Sequence, residues 1–321
     1  MKNKFLKLSL IALASSTMIT ACSAPTAFRD EVAYRIASPS WMVQRTIKTE
    51  NFELTAFERM HAKNAPVTIY IEGDGTADRS SQTGETENPT PINPVALHLA
   101  SRDKSKNVVY IARPCQYTDT VHYDHSPENK TSENEKETCD SAYWESARFA
   151  PEVITAYNSA LDNIAPRYST KDFHLVGYDG GGAIAAILAA KRDDVLSLRT
   201  VAGNLDHDAQ SVYLGIAPLN DSLNAVDFAD DLKDVPQHHF IGGQDETIKP
   251  AVLNSYLQAI GNSRCVKYTM IQEAEHARGW VDKWPELLKA DLPACEKKEV
   301  VFEPIEIPEP IFVPRMIGDK K

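Results

Sequence analysis

Residues 177–182 read GYDGGG, with the apolar run FHLV just before and AIAAILAAK just after, so the carboxylate of Asp179 sits where a buried strand bends into a helix. Gly177 and Gly181 flank the bend, where glycine lets two backbones approach closely. Free N–H groups and aligned peptide dipoles at a helix start favour an anion, so Asp179 is expected to be ionised and to accept those N–H groups itself. Two more residues stand at strand ends downstream: Asp245 in GGQDET follows the apolar run HHFIGG, and His276 in EAEHARGW follows VKYTMIQ. An imidazole steadied by one carboxylate can take a proton from water, while a second carboxylate attacks carbon. Asp245 would also suit the start of a helix before ETIKP, because aspartate is a favoured cap.

The chain order nucleophile, acid, histidine, together with the glycine-flanked bend, resembles the α/β-hydrolase superfamily. The likeness is strongest to bacterial lipoproteins of that superfamily with GYSGGG where this chain has GYDGGG, and it covers roughly residues 40–292. It implies an α/β-hydrolase fold, a mainly parallel sheet flanked by helices. It also implies His276 as general base, Asp245 as its orienting acid and the backbone N–H of Gly180 as one oxyanion-hole donor. The second donor is expected from EGDGT, at Asp74 or Gly75.

Aspartate at the bend changes the chemistry. Carboxylate attack on an ester gives a mixed anhydride, which reverts more easily than it advances. Against saturated electrophilic carbon it works well, as in the haloalkane dehalogenases and epoxide hydrolases of the same superfamily. Those enzymes place a tryptophan where this chain has Gly180, and they carry a sizeable cap, whereas the insertion here, residues 205–236, is short and polar. Three functions follow: hydrolysis of small ester-like substrates, hydrolysis of an epoxide or haloalkane through Asp179, or a silent ligand-binding site whose oxyanion hole Asp179 fills. The expected partner in each case is a small molecule.

No cofactor is expected. The chain has no CxxC or histidine cluster, and Glu72 and Asp74 lack a histidine partner, so no metal site is expected. The other histidines are expected to be structural or on the surface.

The positioning elements follow from short apolar runs that alternate with helical stretches. A hairpin is expected over 42–60, then strands at 67–73, 107–114, 173–178, 197–204, 238–243 and 266–272. Helices are expected near 93–102, 141–164, 180–192, 249–261 and 280–290. Strands apolar on both faces point to a parallel sheet covered by helices. The acidic run 128–137 predicts a solvated loop. Residues 293–321, interrupted by prolines, predict an extended arm.

Lys2, Lys4 and Lys7 precede an apolar stretch from Leu8 to Ile19, too short to span a bilayer, and then Ile19-Thr20-Ala21-Cys22. This resembles a lipoprotein signal, 1–21, which implies cleavage before Cys22 and its lipidation. A tether over 22–40 would follow, in an envelope protein held at a membrane, the outer one facing the periplasm. The net charge of −11 becomes more negative once the three lysines leave, which argues against nucleic acid as a partner. The remaining cysteines, Cys115, Cys139, Cys265 and Cys295, are even in number, as disulfides in an exported protein require. Sequence-near pairs, Cys115 with Cys139 and Cys265 with Cys295, are expected, with the two other pairings open.

Overall fold

The computed structural model describes residues 26–75, 88–118 and 139–295. The leader with Cys22, the acidic run 128–137 and the chain beyond Cys295 lie outside the described residues.

Eight strands form one sheet in the order β1-β2-β4-β3-β5-β6-β7-β8. The hairpin β1 (Val43–Lys48) and β2 (Glu53–Met60) forms one edge and runs antiparallel to its neighbours. The strands β3 (Val67–Ile71), β4 (Asn107–Ile111), β5 (Phe173–Tyr178), β6 (Val195–Val201), β7 (Gln237–Gly242) and β8 (Val266–Ile271) are parallel. This is the expected α/β-hydrolase architecture.

Alternation along the strands feeds two apolar layers. Ile69, Ile71, Val109, Ile111 and Leu175 point to the side covered by α3 (Pro151–Tyr168), α4 (Gly180–Lys191) and α6 (Pro250–Ile260). Tyr70, Val108, Tyr110 and Val176 point to the opposite side, covered by α1 (Thr26–Ala37), α2 (Val95–Arg102) and the indole rings of Trp280 and Trp284, the latter opening α7 (Trp284–Lys289). α4 is apolar around its whole girth and buried from Gly180 to Ala189, as a helix wedged between sheet and neighbours must be.

Three expectations are corrected. Residues 22–40 are not a simple tether, because helix α1 fills most of that span. It buries only Ala33, Ala37 and Arg29, whose guanidinium donates to the carbonyls of Asn88 (3.1 Å) and Thr90 (2.7 Å). So small a contact face leaves no apolar stripe in the sequence. The helix expected over 141–164 is two pieces, a 3-10 turn at Ser141–Trp144 and then α3. Pro151 disfavours helical geometry at the residue before it, Ala150 (ψ 155), so the chain restarts with proline in the first turn. Cys265 and Cys295 are bonded, with Cα atoms 5.2 Å apart. Cys115 and Cys139 are not joined to each other; Cys115 is buried beneath the loop after β4 and Cys139 is exposed.

The cap is minimal, as expected. Residues 205–236 hold α5 (His207–Leu214) and two 3-10 turns, Ala225–Phe228 and Asp230–Leu232.

Candidate active site

At the end of β5, Asp179 adopts φ 50 and ψ −123, a left-handed conformation that costs a non-glycine residue energy unless its surroundings enforce it. They do. Its N–H donates to the carbonyl of Val201 (3.1 Å), and its own carbonyl accepts from the N–H groups of Gly182 and Asn204, both at 2.9 Å. Packing leaves no alternative residue on either side. A Cβ on Gly177 would stand 2.2 Å from the carbonyl oxygen of Gly181, and one on Gly181 would stand 2.3 Å from that of Ile71.

The structure brings Asp179, Asp245 and His276 together from three separate strand ends. His276 Nδ1 lies 3.0 Å from Asp245 Oδ2, and its Nε2 lies 3.6 Å from Asp179 Oδ1. Asp245 is buried and does not cap a helix, because α6 starts only at Pro250 with Lys249 at its N-cap. Its Oδ1 accepts from the N–H groups of Thr247 (2.8 Å) and Ile248 (2.9 Å), which leaves Oδ2 for the imidazole.

The second oxygen of Asp179 is engaged elsewhere. Asp179 Oδ2 accepts the backbone N–H of Asp74 at 3.0 Å, and the N–H of Gly180 also reaches this carboxylate. Of the two candidates for the second donor, Asp74 is the one whose N–H reaches Asp179. Gly75 instead lies at φ 71 against Pro89, whose carbonyl oxygen would be 2.0 Å from any Cβ there. Both donors of the oxyanion hole thus point at the side chain that stands in the nucleophile's place.

Two arginines complete the site, and nothing in the local sequence announced them. Arg113 and Arg148 grip the Asp74 carboxylate at 2.6 Å and 2.7 Å, from the loop after β4 and from the turn before α3. Arg113 also stacks over the ring of Phe149 at 5.2 Å. The pair fills the space beside Gly180, where a Cβ would stand 2.0 Å from Asp74 Oδ1 and 2.8 Å from an Arg113 nitrogen. A tryptophan at that position is sterically impossible with this pair in place.

Charges in the cleft divide unequally. Burial opposes ionisation of Asp74, but Arg148 and Arg113 overcome it and hold its pKa below the ordinary carboxylate value. Burial, and then the Asp74 charge, raise the pKa of Asp179, against the opposing pull of His276 and the two backbone N–H groups. The helix-start argument thus gives only half of the balance at Asp179. Burial also lifts Glu72 to about 7, although its carboxylate accepts the N–H groups of Gly73 (3.0 Å) and Ala96 (3.3 Å). Glu72 and Asp74 are therefore taken up separately, one at the start of α2 and one by arginines. Among the described residues, no group of three potential metal ligands converges.

A cavity of about 570 Å³ opens in front of Asp179 and His276, lined also by Ile92, Asn93, Arg148 and Ile216. Tyr178 lines it but donates its hydroxyl to the carbonyl of His276 (3.3 Å). Trp280 is buried, with its N–H directed at the carbonyls of Glu275 (2.9 Å) and His276 (2.8 Å). Both brace the histidine loop. His174, His238 and His239 hydrogen-bond to Ser197, Thr269 and Thr200 within the sheet, away from the cleft. His122 and His125 lie outside the described residues.

No family model matches the sequence, and no curated protein matches it. Solved structures do match in fold. Est1E from Butyrivibrio proteoclasticus superposes with a TM-score of 0.51 at 13% identity, over 76% of this chain and 97% of its own. A lipase candidate, lip1, from Acinetobacter baumannii AYE gives a TM-score of 0.52 at 14% identity, over 84% and 95%. The esterase Pf2001 from Pyrococcus furiosus gives 0.51 at 13% identity, over 78% and 94%.

Proposed function

We propose that this chain of α/β-hydrolase fold hydrolyses a small molecule at an electrophilic saturated carbon, an epoxide or haloalkane, with the Asp179 carboxylate as nucleophile. The division of labour between its two oxygens carries the reading. Oδ1 is on the His276 side, whereas Oδ2 accepts the N–H of Asp74, and the N–H of Gly180 reaches the same carboxylate. Attack of Oδ1 forms an Asp179 alkyl ester and either expels halide from a haloalkane or opens an epoxide to an alkoxide that stays on the substrate and takes a proton from solvent. Water, giving its proton to His276, then adds to the ester carbon. The negative charge develops on Oδ2, where the N–H of Asp74 is already aimed. Collapse expels the alkoxide, which takes the proton back from His276, and the restored carboxyl loses its remaining proton to solvent.

The same arrangement disfavours small esters as substrates. A substrate carbonyl finds both hole donors occupied, and the acyl product would be an anhydride. A silent ligand-binding site is the second reading, favoured by the inward use of Tyr178 and Trp280, whose donors brace a loop instead of facing a leaving group. One turnover in heavy-oxygen water separates the two. Label entering the Asp179 peptide supports the carboxylate mechanism, and turnover without label there defeats it. Saturable binding with no turnover on any epoxide or haloalkane supports the silent site.

We place this activity in a bacterial envelope, with the chain anchored through acylated Cys22. The basic, apolar and lipobox segments in that order support this placement. Soluble, unlipidated protein after expression with the intact leader contradicts it.

A further inference from the structure

The described chain begins at the cleft end of the sheet, with the first turn of α1. Cys22 lies four positions before Thr26, the first residue of α1, a reach of no more than about 14 Å. The first turn of α1 is fixed to the cleft end of the sheet, because Arg29 donates to the carbonyl of Thr90, directly before the cleft residues Pro91, Ile92 and Asn93. The far end of α1 is fixed at the opposite end, where the Ser40 hydroxyl donates to the carbonyl of Ser101 in the last turn of α2.

Large apolar side chains are exposed at the cleft end. Phe28 in the first turn of α1 is 52% exposed, and Ile92 on the cleft wall is 48% exposed. The run VYLGIAPL, residues 212–219, has no charge; it spans the end of α5, and its residues Ile216 to Leu219 line the cleft. In it, Val212 is 84% exposed, Tyr213 52% and Ile216 42%. The insertion looked polar as a whole in sequence, and its apolar centre is where the structure turns it outward. Soluble surfaces rarely gather such side chains around one opening without a partner.

We propose that this apolar rim docks on the lipid bilayer that holds Cys22, so that the cleft opens against the membrane surface and takes an amphiphilic substrate from it. The choice of occupant rests on the envelope placement above and on the short chain between anchor and rim. Apolar side chains buried in lipid beside the anchor would orient the cleft as well as add to the hold.

The test uses the mature chain, from residue 22 onward, with Cys22→Ser to remove acylation, floated with phosphatidylethanolamine and phosphatidylcholine vesicles. Binding is expected, with a loss of about tenfold in partitioning for Val212→Asp or Ile216→Asp, as expected for withdrawing one aliphatic side chain from lipid. Tyr268→Asp, at an exposed position on the edge strand β8, is expected to leave partitioning unchanged. No vesicle binding by the parent overturns the proposal, as does binding that Val212→Asp and Ile216→Asp leave intact. If the parent fails to bind but a chain ending at Cys295 succeeds, the C-terminal arm covers the rim and the proposal also falls. Unchanged circular dichroism of each variant shows that folding is not the cause. The readout needs no turnover, so it stands apart from the carboxylate mechanism. Native protein that is soluble and unacylated fails the envelope placement separately.

Discussion

Asp74 meets Asp179 in two opposed ways: its backbone N–H binds Asp179 Oδ2 at 3.0 Å, while its carboxylate, gripped by Arg113 and Arg148, raises the pKa of the same group. One residue thus holds an oxygen of Asp179 in place and makes its charge less comfortable. Such a carboxylate is preorganised for attack and relieved by alkylation, which removes its charge.

The hole should become usable when the carboxylate leaves it. In Asp179→Ser, the N–H groups of Asp74 and Gly180 are released to a substrate carbonyl, with His276 and Asp245 already aligned. Short acyl esters should then be cleaved at least about a hundredfold faster than by the parent, the scale of one oxyanion-hole donor. Steady-state assay of an acyl chromogen checks this, and an inert variant argues against a serine-type pocket.

Removing the base should trap the first intermediate. His276→Ala leaves attack by Asp179 possible but slows water addition by about a thousandfold, within the range of general-base losses. Mass spectrometry should find the substrate's alkyl group on the peptide carrying Asp179. A variant that turns over at the parental rate removes His276 from the mechanism.

Glu72 gives the fold a pH signature. Its folded pKa is raised from 4.5 to about 7, so between these values the unfolded chain releases a proton that the folded chain keeps. Stability should therefore fall as pH rises from 4.5 towards 7, by about 3 kcal/mol from this group alone, and then level off. Denaturant titrations of Glu72→Gln beside the parent should show that slope removed.

Gly180→Ala should be costly despite its size. The added methyl meets Asp74 Oδ1 and Arg113 before any relaxation, so a loss of about 3 kcal/mol is expected. Thermal unfolding of the variant checks it, and an unchanged midpoint contradicts the described packing.

Much of the frame was legible because its signals are local. Apolar runs marked the strands, and the glycines around Asp179 marked the bend, since strand and helix there leave no room for a Cβ. Asp245 and His276 were legible from their positions just past strands. The arginine clamp was not, because Arg113 and Arg148 lie 39 and 74 residues from Asp74 and meet it only through the sheet. Helix α1 was missed for another reason: it binds through alanines and one arginine, which carry no apolar periodicity.

The hydrogen bond between Asp74 and Asp179 closes a loop of 105 residues, and it joins the ends of β3 and β5, which pair directly at the centre of the sheet. Such distant pairings form slowly, because the loop's entropy is lost before the contact rewards it. The arrangement around Asp179 consequently cannot form from local contacts alone. A species in which β3 and β5 have not met lacks the Asp74–Asp179 contact, and His276 and Asp245 must still arrive from the ends of β8 and β7 to complete the cleft.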